Sequence, residues 1–396
     1  LAPVCRSATA SIFRTSVRPR QLVAAQYRKT AGRLQFIPAN TMASWCPTGL
    51  GDGSHVDKKR KTGLTMGTHS GTFQCDEALG IWLLRRLPKW SGATLVRSRN
   101  PEVLAPLDIV IDVGGTYDPQ ALRFDHHQRG FFETFDGEKG VATKAEEATG
   151  KFKTKLSACG LVYKHFGREI LQSLYPALQG PRLEAVYVKL YKDMVEGLDA
   201  IDNGIEVASE PRYREGTGLS ARIGRMNSRW NGPDEDSAME DKRFEAASQL
   251  AGQEFMEQVS YLVECWLPAR DLVEAALLKR HQVDPSGELL LFESGGMPWK
   301  QHLYELEREH SVDPLVKFVF YQDQAKMWRI QAVTAEGTDF TNRLSLPAPW
   351  RGVRDDELSK VAGIEGCCFC HMAGFIGGNK TLEGALAMGR AALKSA

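Results

Sequence analysis

The chain has 396 residues, 42% hydrophobic and 25% charged, with 8 Cys. That apolar content supports a large core and excludes wholesale disorder, and eight cysteines over this length do not make a disulfide scaffold, so a reducing compartment is expected. No apolar run approaches the roughly 18 residues that span a bilayer, which excludes an integral membrane protein of the helical kind. The formal net charge of +1 hides an asymmetry: residues 1–61 hold eleven Lys/Arg against Asp52 and Asp57, leaving 39 basic and 47 acidic residues beyond them.

Residues 1–61 read as a basic targeting segment. Arg, Ser, Thr and Ala dominate residues 1–40 and acids are absent there, the composition of a mitochondrial transit peptide; a plain basic tail would share it. Pro19 limits any amphipathic helix to two short pieces. Lys58-Lys59-Arg60-Lys61 has the character of a nuclear localisation signal or a nucleic-acid contact. Met42 lies between the two signals, so initiation there would keep the second alone. The expected location is the mitochondrial matrix, with a nuclear pool through residues 58–61.

Globular patterning begins near Leu64. A short strand is expected at 64–69, then a helix from Asp76 with apolar residues at Leu79, Leu83, Leu84 and Leu87, stopped by Pro88. Strands follow at Thr94–Arg97 and Leu107–Val113, the second nearly all apolar as a buried parallel strand would be. Residues 136–153 read as an insertion, and helices are expected at 157–166 and 182–198. Strands alternating with helices imply an α/β domain over 62–228, its parallel sheet covered by helices on both faces. The turn-rich, acidic stretch 229–243 reads as a linker. Residues 244–396 form a second domain in this reading: a long helix to Cys265 broken by Pro268, another to about Lys279, strands at 289–293, 317–322, 328–333 and 367–371, and a last helix over 381–392.

Titratable residues concentrate in the first domain. His69 and Asp76 stand seven apart, Asp112 ends the apolar strand before Gly114-Gly115, and Asp125-His126-His127 follows, with Asp199 and Asp202 further on. In the expected layout the first three groups fall at the C-terminal ends of strands, where open parallel sheets form their ligand crevice. Singly, Asp76 suits a helix N-cap and Asp112 a turn. Together, converging carboxylates and imidazoles require cations between them, and an Asp/His donor mixture suits Mn²⁺ or Mg²⁺, with Zn²⁺ a third option. Near-absence of cysteine from the set argues against a structural zinc site. Cys367, Cys368, Cys370 and His371 lack a second pair to close a tetrahedron and read as small buried residues. Beyond them, Gly374, Gly377 and Gly378 read as a glycine-rich turn before the last helix, where backbone N–H groups approach phosphate. Arg222 and Arg343 are candidate phosphate contacts; Trp230 and Trp350 could stack on bases, but tryptophan is more often a core residue and neither is placed in the site.

The segments GTHSGTFQCDEAL, DVGGTYDP and FDHHQR, followed in order by TKLSACGLVY, AIDNGI, WLPAR, PWRGVRD and GFIGG, resemble the DHH phosphoesterase superfamily. More closely, they resemble the Myg (melanocyte proliferating gene) family of 3′–5′ RNA exonucleases, over essentially residues 64–395. The resemblance implies a DHH-type parallel-sheet domain followed by a smaller α+β DHH-associated domain, and a two-metal phosphodiesterase acting on the 3′ end of single-stranded RNA. It places His69 and residue 74 on one metal. Asp76, His126 and an acid of the Asp199/Asp202 pair would hold the other, with Asp112 bridging and Asp202 fitting the motif better. His127 would contact the scissile phosphate, Asp125 shares the catalytic assignment, and His371 would face the nucleotide. The family motif has His where this chain has Gln74, a weaker donor for transition metals, so a weakened first metal site is expected. Two alternatives stay open: hydrolysis of small phosphates or short oligonucleotides by the same centre, or an RNA-binding or regulatory protein with lowered activity.

Overall fold

A computed structural model describes residues 63–138, 144–233 and 236–395, within one compact unit, Thr62–Ala396. The targeting signals expected in residues 1–61 lie outside the described residues.

The first sheet contains β1 (Thr65–Thr68), β2 (Thr94–Arg97), β3 (Ile109–Ile111), β4 (Tyr117–Asp118) and β5 (Arg123–Phe124), in the order β2-β1-β3-β5-β4. All neighbours are parallel except β4 and β5. Strand alternation sends Met66, Ile109, Ile111 and Phe124 into the main core. That core is closed by α1 (Cys75–Leu84), α3 (Ala158–Leu174), α4 (Gly180–Leu190), α5 (Glu196–Asp202) and α6 (Leu219–Gly224). The opposite face differs from expectation. Among the described residues it carries a small cluster of Leu104, Leu107 and Val110, built around the single turn α2 (Pro101–Leu104). A bare Cα at Gly67 lets Leu107 close on that face, since a Cβ there would come within 2.6 Å of its side chain.

Two helices run further than the sequence suggests. A π-turn at Tyr191–Val195 joins α4 to α5, and another at Leu262–Trp266 joins α7 (Ser237–Tyr261) to α8 (Leu267–Leu278). Pro268 therefore does not break the helix. Leu267 N–H reaches back five residues to Leu262 O, and the widened turn accommodates a residue without an N–H of its own. The later part of the stretch read as a linker is helix instead: α7 starts at Ser237, capped by Asp236 (Met239 N–H to Asp236 Oδ1, 2.9 Å), and buries Phe244, Ala247, Ala251 and Phe255 in the first core. Gly252 lets Trp82 of α1 lie against this helix, with an added Cβ only 2.1 Å from the indole.

After the short α9 (Arg280–Val283), a second sheet is formed by β6 (Leu289–Leu291), β7 (Phe318–Gln322), β8 (Trp328–Ala332), β9 (Cys367–Cys370) and β10 (Ile376–Asn379), in the order β6-β7-β8-β10-β9. Only β6 and β7 are parallel. One face packs on α11 (Asp355–Ala362) and α12 (Leu382–Lys394), the other on α8 and α10 (Lys300–Glu309). The two cores thus share one helix: α7 lines the first and α8 the second.

Candidate metal centre

His69, Asp112 and the run Asp125-His126-His127 follow β1, β3 and β5, adjacent parallel strands, so the expected C-terminal crevice is formed. The loop after β1 is pinned on several sides. Arg97 donates to Gly71 O (2.6 Å) and lies over Phe244, Arg99 donates to Ser70 O (3.0 Å), and the Asn227 side chain both accepts from Phe73 N–H (2.9 Å) and donates to Phe73 O (2.8 Å). Asp112 has φ +58°, the left-handed conformation that Asp tolerates better than most residues. This turn at the strand end aims its carboxylate between two imidazoles: Oδ2 lies 3.3 Å from His69 Nε2 and Oδ1 3.4 Å from His126 Nε2.

Three sets of side chains each offer ligand atoms within 4.8 Å of one another: His69, Glu77 and Asp112; Asp76, His126 and Asp202; and Asp112, His126 and His127. Within them the bonding is incomplete. Asp76 Oδ1 and Oδ2, Glu77 Oε2, Asp112 Oδ1, His126 Nδ1 and Nε2 and Asp202 Oδ2 are all buried without a hydrogen-bond partner. His126 Nε2 and Asp202 Oδ2 stand 3.0 Å apart yet are misaligned for a hydrogen bond. Buried polar atoms are normally satisfied, and leaving several oxygens orphaned in one pocket is costly. A divalent cation would satisfy them, and the Asp/Glu/His donor set fits one.

Electrostatics point the same way. Burial, and then the charges of Asp112, Glu77 and Asp202, push the Asp76 carboxyl well above the usual carboxylate range. Burial opposes the charged form of His69, but Asp112 and Glu77 outweigh it and raise its pKa to about 9. His126 likewise rises to about 9 through Asp112 and Asp202. The carboxylates that favour a proton on each imidazole would equally favour a metal there.

Asp199 is turned to a different task. Its carboxylate accepts from Ser157 N–H (3.0 Å), Ser157 Oγ–H (2.8 Å) and Tyr191 O–H (3.0 Å). It fits over Gly160, where a Cβ would come within 2.2 Å of it. Burial raises its pKa to about 7. Of the Asp199/Asp202 pair, only Asp202 joins the His126 set; Asp199, three positions earlier on α5, has its carboxylate engaged by Ser157 and Tyr191. Asp125 accepts from Gly115 N–H (2.6 Å) and holds His127 through Nδ1 (2.8 Å), while the His127 side chain stays 61% exposed at the edge of the group.

Gln74 is the exposed N-cap residue of α1, and its backbone N–H donates to Glu77 Oε1 (2.8 Å). Glu77 is the residue missed from the sequence. An acid three positions after the N-cap has a ready explanation in helix capping; the available signal was its place at the head of a run in which all ten helical residues are buried.

The predicted substrate residues are dispersed. Arg343 is not free to meet phosphate: its guanidinium donates to both carboxylate oxygens of Glu307 (2.8 and 2.7 Å) and to Val316 O (2.8 Å). Arg222 pairs with Glu254 (2.6 Å). Gly374, φ +67°, closes the β9–β10 hairpin, where His371 is exposed and its Nδ1 accepts from Ala373 N–H (3.1 Å). Gly377 and Gly378 lie inside β10 rather than in a turn, in register with Ile330 and Arg329 of β8. A Cβ on Gly378 would come within 3.1 Å of both Trp328 O and the Phe369 ring on the neighbouring strands, so glycine there serves sheet packing. Cys367 and Cys370 are buried in the second core, as small apolar residues would be.

Residues 65–393 match the family model named MYG1_exonuc and described as an uncharacterised protein family, UPF0160. The chain is 49% identical over 332 residues to proteins named MYG1 exonuclease from Bos taurus (83% of this chain, 84% of the relative) and Homo sapiens (83% and 85%). It is 44% identical over 328 residues to the MYG1 protein of Dictyostelium discoideum, covering 82% of this chain and 95% of that one. Near-complete coverage of the described fold, crevice included, makes this chain a member of the MYG1 family.

Proposed function

We propose that this protein is a metal-dependent nuclease, more narrowly a 3′–5′ exoribonuclease that hydrolyses phosphodiester bonds with two divalent cations, Mn²⁺ foremost and Mg²⁺ second. The names of its relatives support a nuclease. The observation that carries the metal reading is Asp112, whose two oxygens face two imidazoles from opposite sets, each set holding buried oxygens without partners.

His69 and Glu77 would lie on one side of Asp112, and Asp76, His126 and Asp202 on the other. Bound divalent cations supply Lewis acidity toward a phosphoryl oxygen and lower the pKa of an attacking water. The chain's part is geometric and electrostatic. Asp125 fixes the ring of His127 through Nδ1, which leaves an exposed imidazole at the mouth to hold the scissile phosphate. The four acids (Asp76, Glu77, Asp112 and Asp202) outnumber the imidazoles His69 and His126 set among them, which disfavours a phosphodiester until cations are bound, so binding of nucleic acid follows metal loading.

The test uses RNA labelled at its 5′ end, with Mn²⁺, beside His126→Ala. Stepwise shortening from the 3′ end, lost in the variant, is expected; binding without cleavage, or internal cuts, would overturn the reading. A second reading, preference for short oligonucleotides, is favoured by the excess of 47 acidic over 39 basic residues beyond position 61. Acidic surfaces grip long phosphate backbones poorly, and a length series of substrates separates the two. Matrix and nuclear targeting by residues 1–61 is part of the proposal, checked by fractionation of cells expressing the chain with and without that segment and a Met42→Ala form. Among the described residues no helix is long and apolar enough to cross a membrane.

A further inference from the structure

We infer that Glu77 supplies the cation donor that Gln74 does not, so that the first half of the centre is a complete site of one imidazole and two carboxylates; this rests on the metal reading above. Gln74 is the exposed residue that begins α1, whereas Glu77 is one turn inside it and 0% exposed. The two carboxylate oxygens of Glu77 are differently engaged. Oε1 accepts the Gln74 backbone N–H at 2.8 Å and stands 3.0 Å from His69 Nε2. Oε2 is buried with no hydrogen-bond partner. Helix capping explains the first oxygen and leaves the second unexplained. A surface glutamate in a capping box would turn its spare oxygen to water; here that oxygen is buried, while Oε1 faces His69, and Glu77, His69 and Asp112 each offer a ligand atom within 4.8 Å of the others.

The bonding pattern makes residue 74 a helix-capping residue in this chain: its N–H holds Glu77 Oε1, and its side chain turns back to the Glu77 backbone rather than to a cation. Replacing an imidazole by a carboxylate also changes the chemistry of the site. One nitrogen with two carboxylates is a harder donor set than two nitrogens with one, and favours Mn²⁺ and Mg²⁺ relative to Zn²⁺.

The experiment is Mn²⁺ titration of the full chain by calorimetry and by loss of the free-ion electron paramagnetic resonance signal, with the Mn²⁺-induced rise in Tm as a third readout. Wild type and Gln74→Ala are each expected to bind about two Mn²⁺ per chain, the number a two-metal centre requires, and Glu77→Gln about one. Glu77→Asp, with its shorter arm, guards against misfolding of the neutral variant and should weaken one Mn²⁺ at least about tenfold, the lower end of what even outer partners of a metal ligand contribute. Circular dichroism establishes which variants fold. Loss of one Mn²⁺ in Gln74→Ala, or two undiminished sites in a folded Glu77→Gln, would overturn the assignment while leaving the metal centre standing. A wild type that binds no Mn²⁺ overturns both, a failure the stoichiometry distinguishes from the first.

Discussion

Glu307 with Arg343 in the second half, and Asp112 with His126 in the first, are both buried pairings of an acid with a basic side chain, but their atoms are treated differently. Both Glu307 oxygens accept from the Arg343 guanidinium, Oε1 also accepts Val316 N–H (2.9 Å), and Arg343 also reaches a backbone carbonyl. Around Asp112 and His126, seven buried polar atoms of five side chains have no hydrogen-bond partner. A closed network fixes a fold; an open one at the end of a parallel sheet is a receptor for something not made of protein.

The comparison breaks if the open network turns out to be structural. Asp112→Asn keeps a side chain that tolerates the left-handed backbone and removes the charge. Mn²⁺-dependent RNA hydrolysis should fall by more than about 100-fold, exceeding the loss when outer partners of metal ligands are removed, while circular dichroism stays native; a retained rate would end the contrast. The closed network should behave in reverse. Arg343→Ala leaves Glu307 buried and unpaired, and denaturant unfolding should show a loss of about 3–5 kcal/mol, with hydrolysis per folded molecule unchanged.

Titration sharpens the contrast further. With their pKa values raised from 6.5 to about 9, the imidazoliums of His69 and His126 contribute stability to the metal-free protein. That contribution is fully present below about pH 6.5 and lost as pH rises through about 9. Metal must displace the same protons, so the Mn²⁺-induced rise in Tm should grow across that interval, as scanning calorimetry with Mn²⁺ or a chelator would record. A flat or falling increment would mean the imidazoles do not compete with metal. The smallest effect is expected at Asn227→Ala. Loss of its two bonds to Phe73 should cost about 1–3 kcal/mol and raise the Mn²⁺ concentration for half-maximal hydrolysis severalfold without altering its maximum.

Strand–helix alternation and the apolar run 107–113 made the first sheet legible, and with it the convergence of His69, Asp112 and His126, because adjacent parallel strands end side by side. Three features were hidden for separate physical reasons. Glu77 was masked by its ordinary place in a helix cap. Gly377 and Gly378 read as a turn because the demand for glycine comes from Trp328 and Phe369 on neighbouring strands, which proximity in sequence does not encode. Pro268 read as a helix stop because a π-turn, set by tertiary packing, leaves no mark of its own in composition.

That π-turn has a mechanical consequence. From Ser237 to Leu278 the backbone is one helical rod, about 60 Å at the usual rise. Its first part is embedded in the core below the metal centre, and its last turns are embedded in the core of the second sheet. The covalent path between the cores is therefore a shaft instead of a flexible tether. Any swing of one half relative to the other has to bend or twist that shaft, and its most compliant point is Leu262–Trp266, where the hydrogen-bond ladder is already widened.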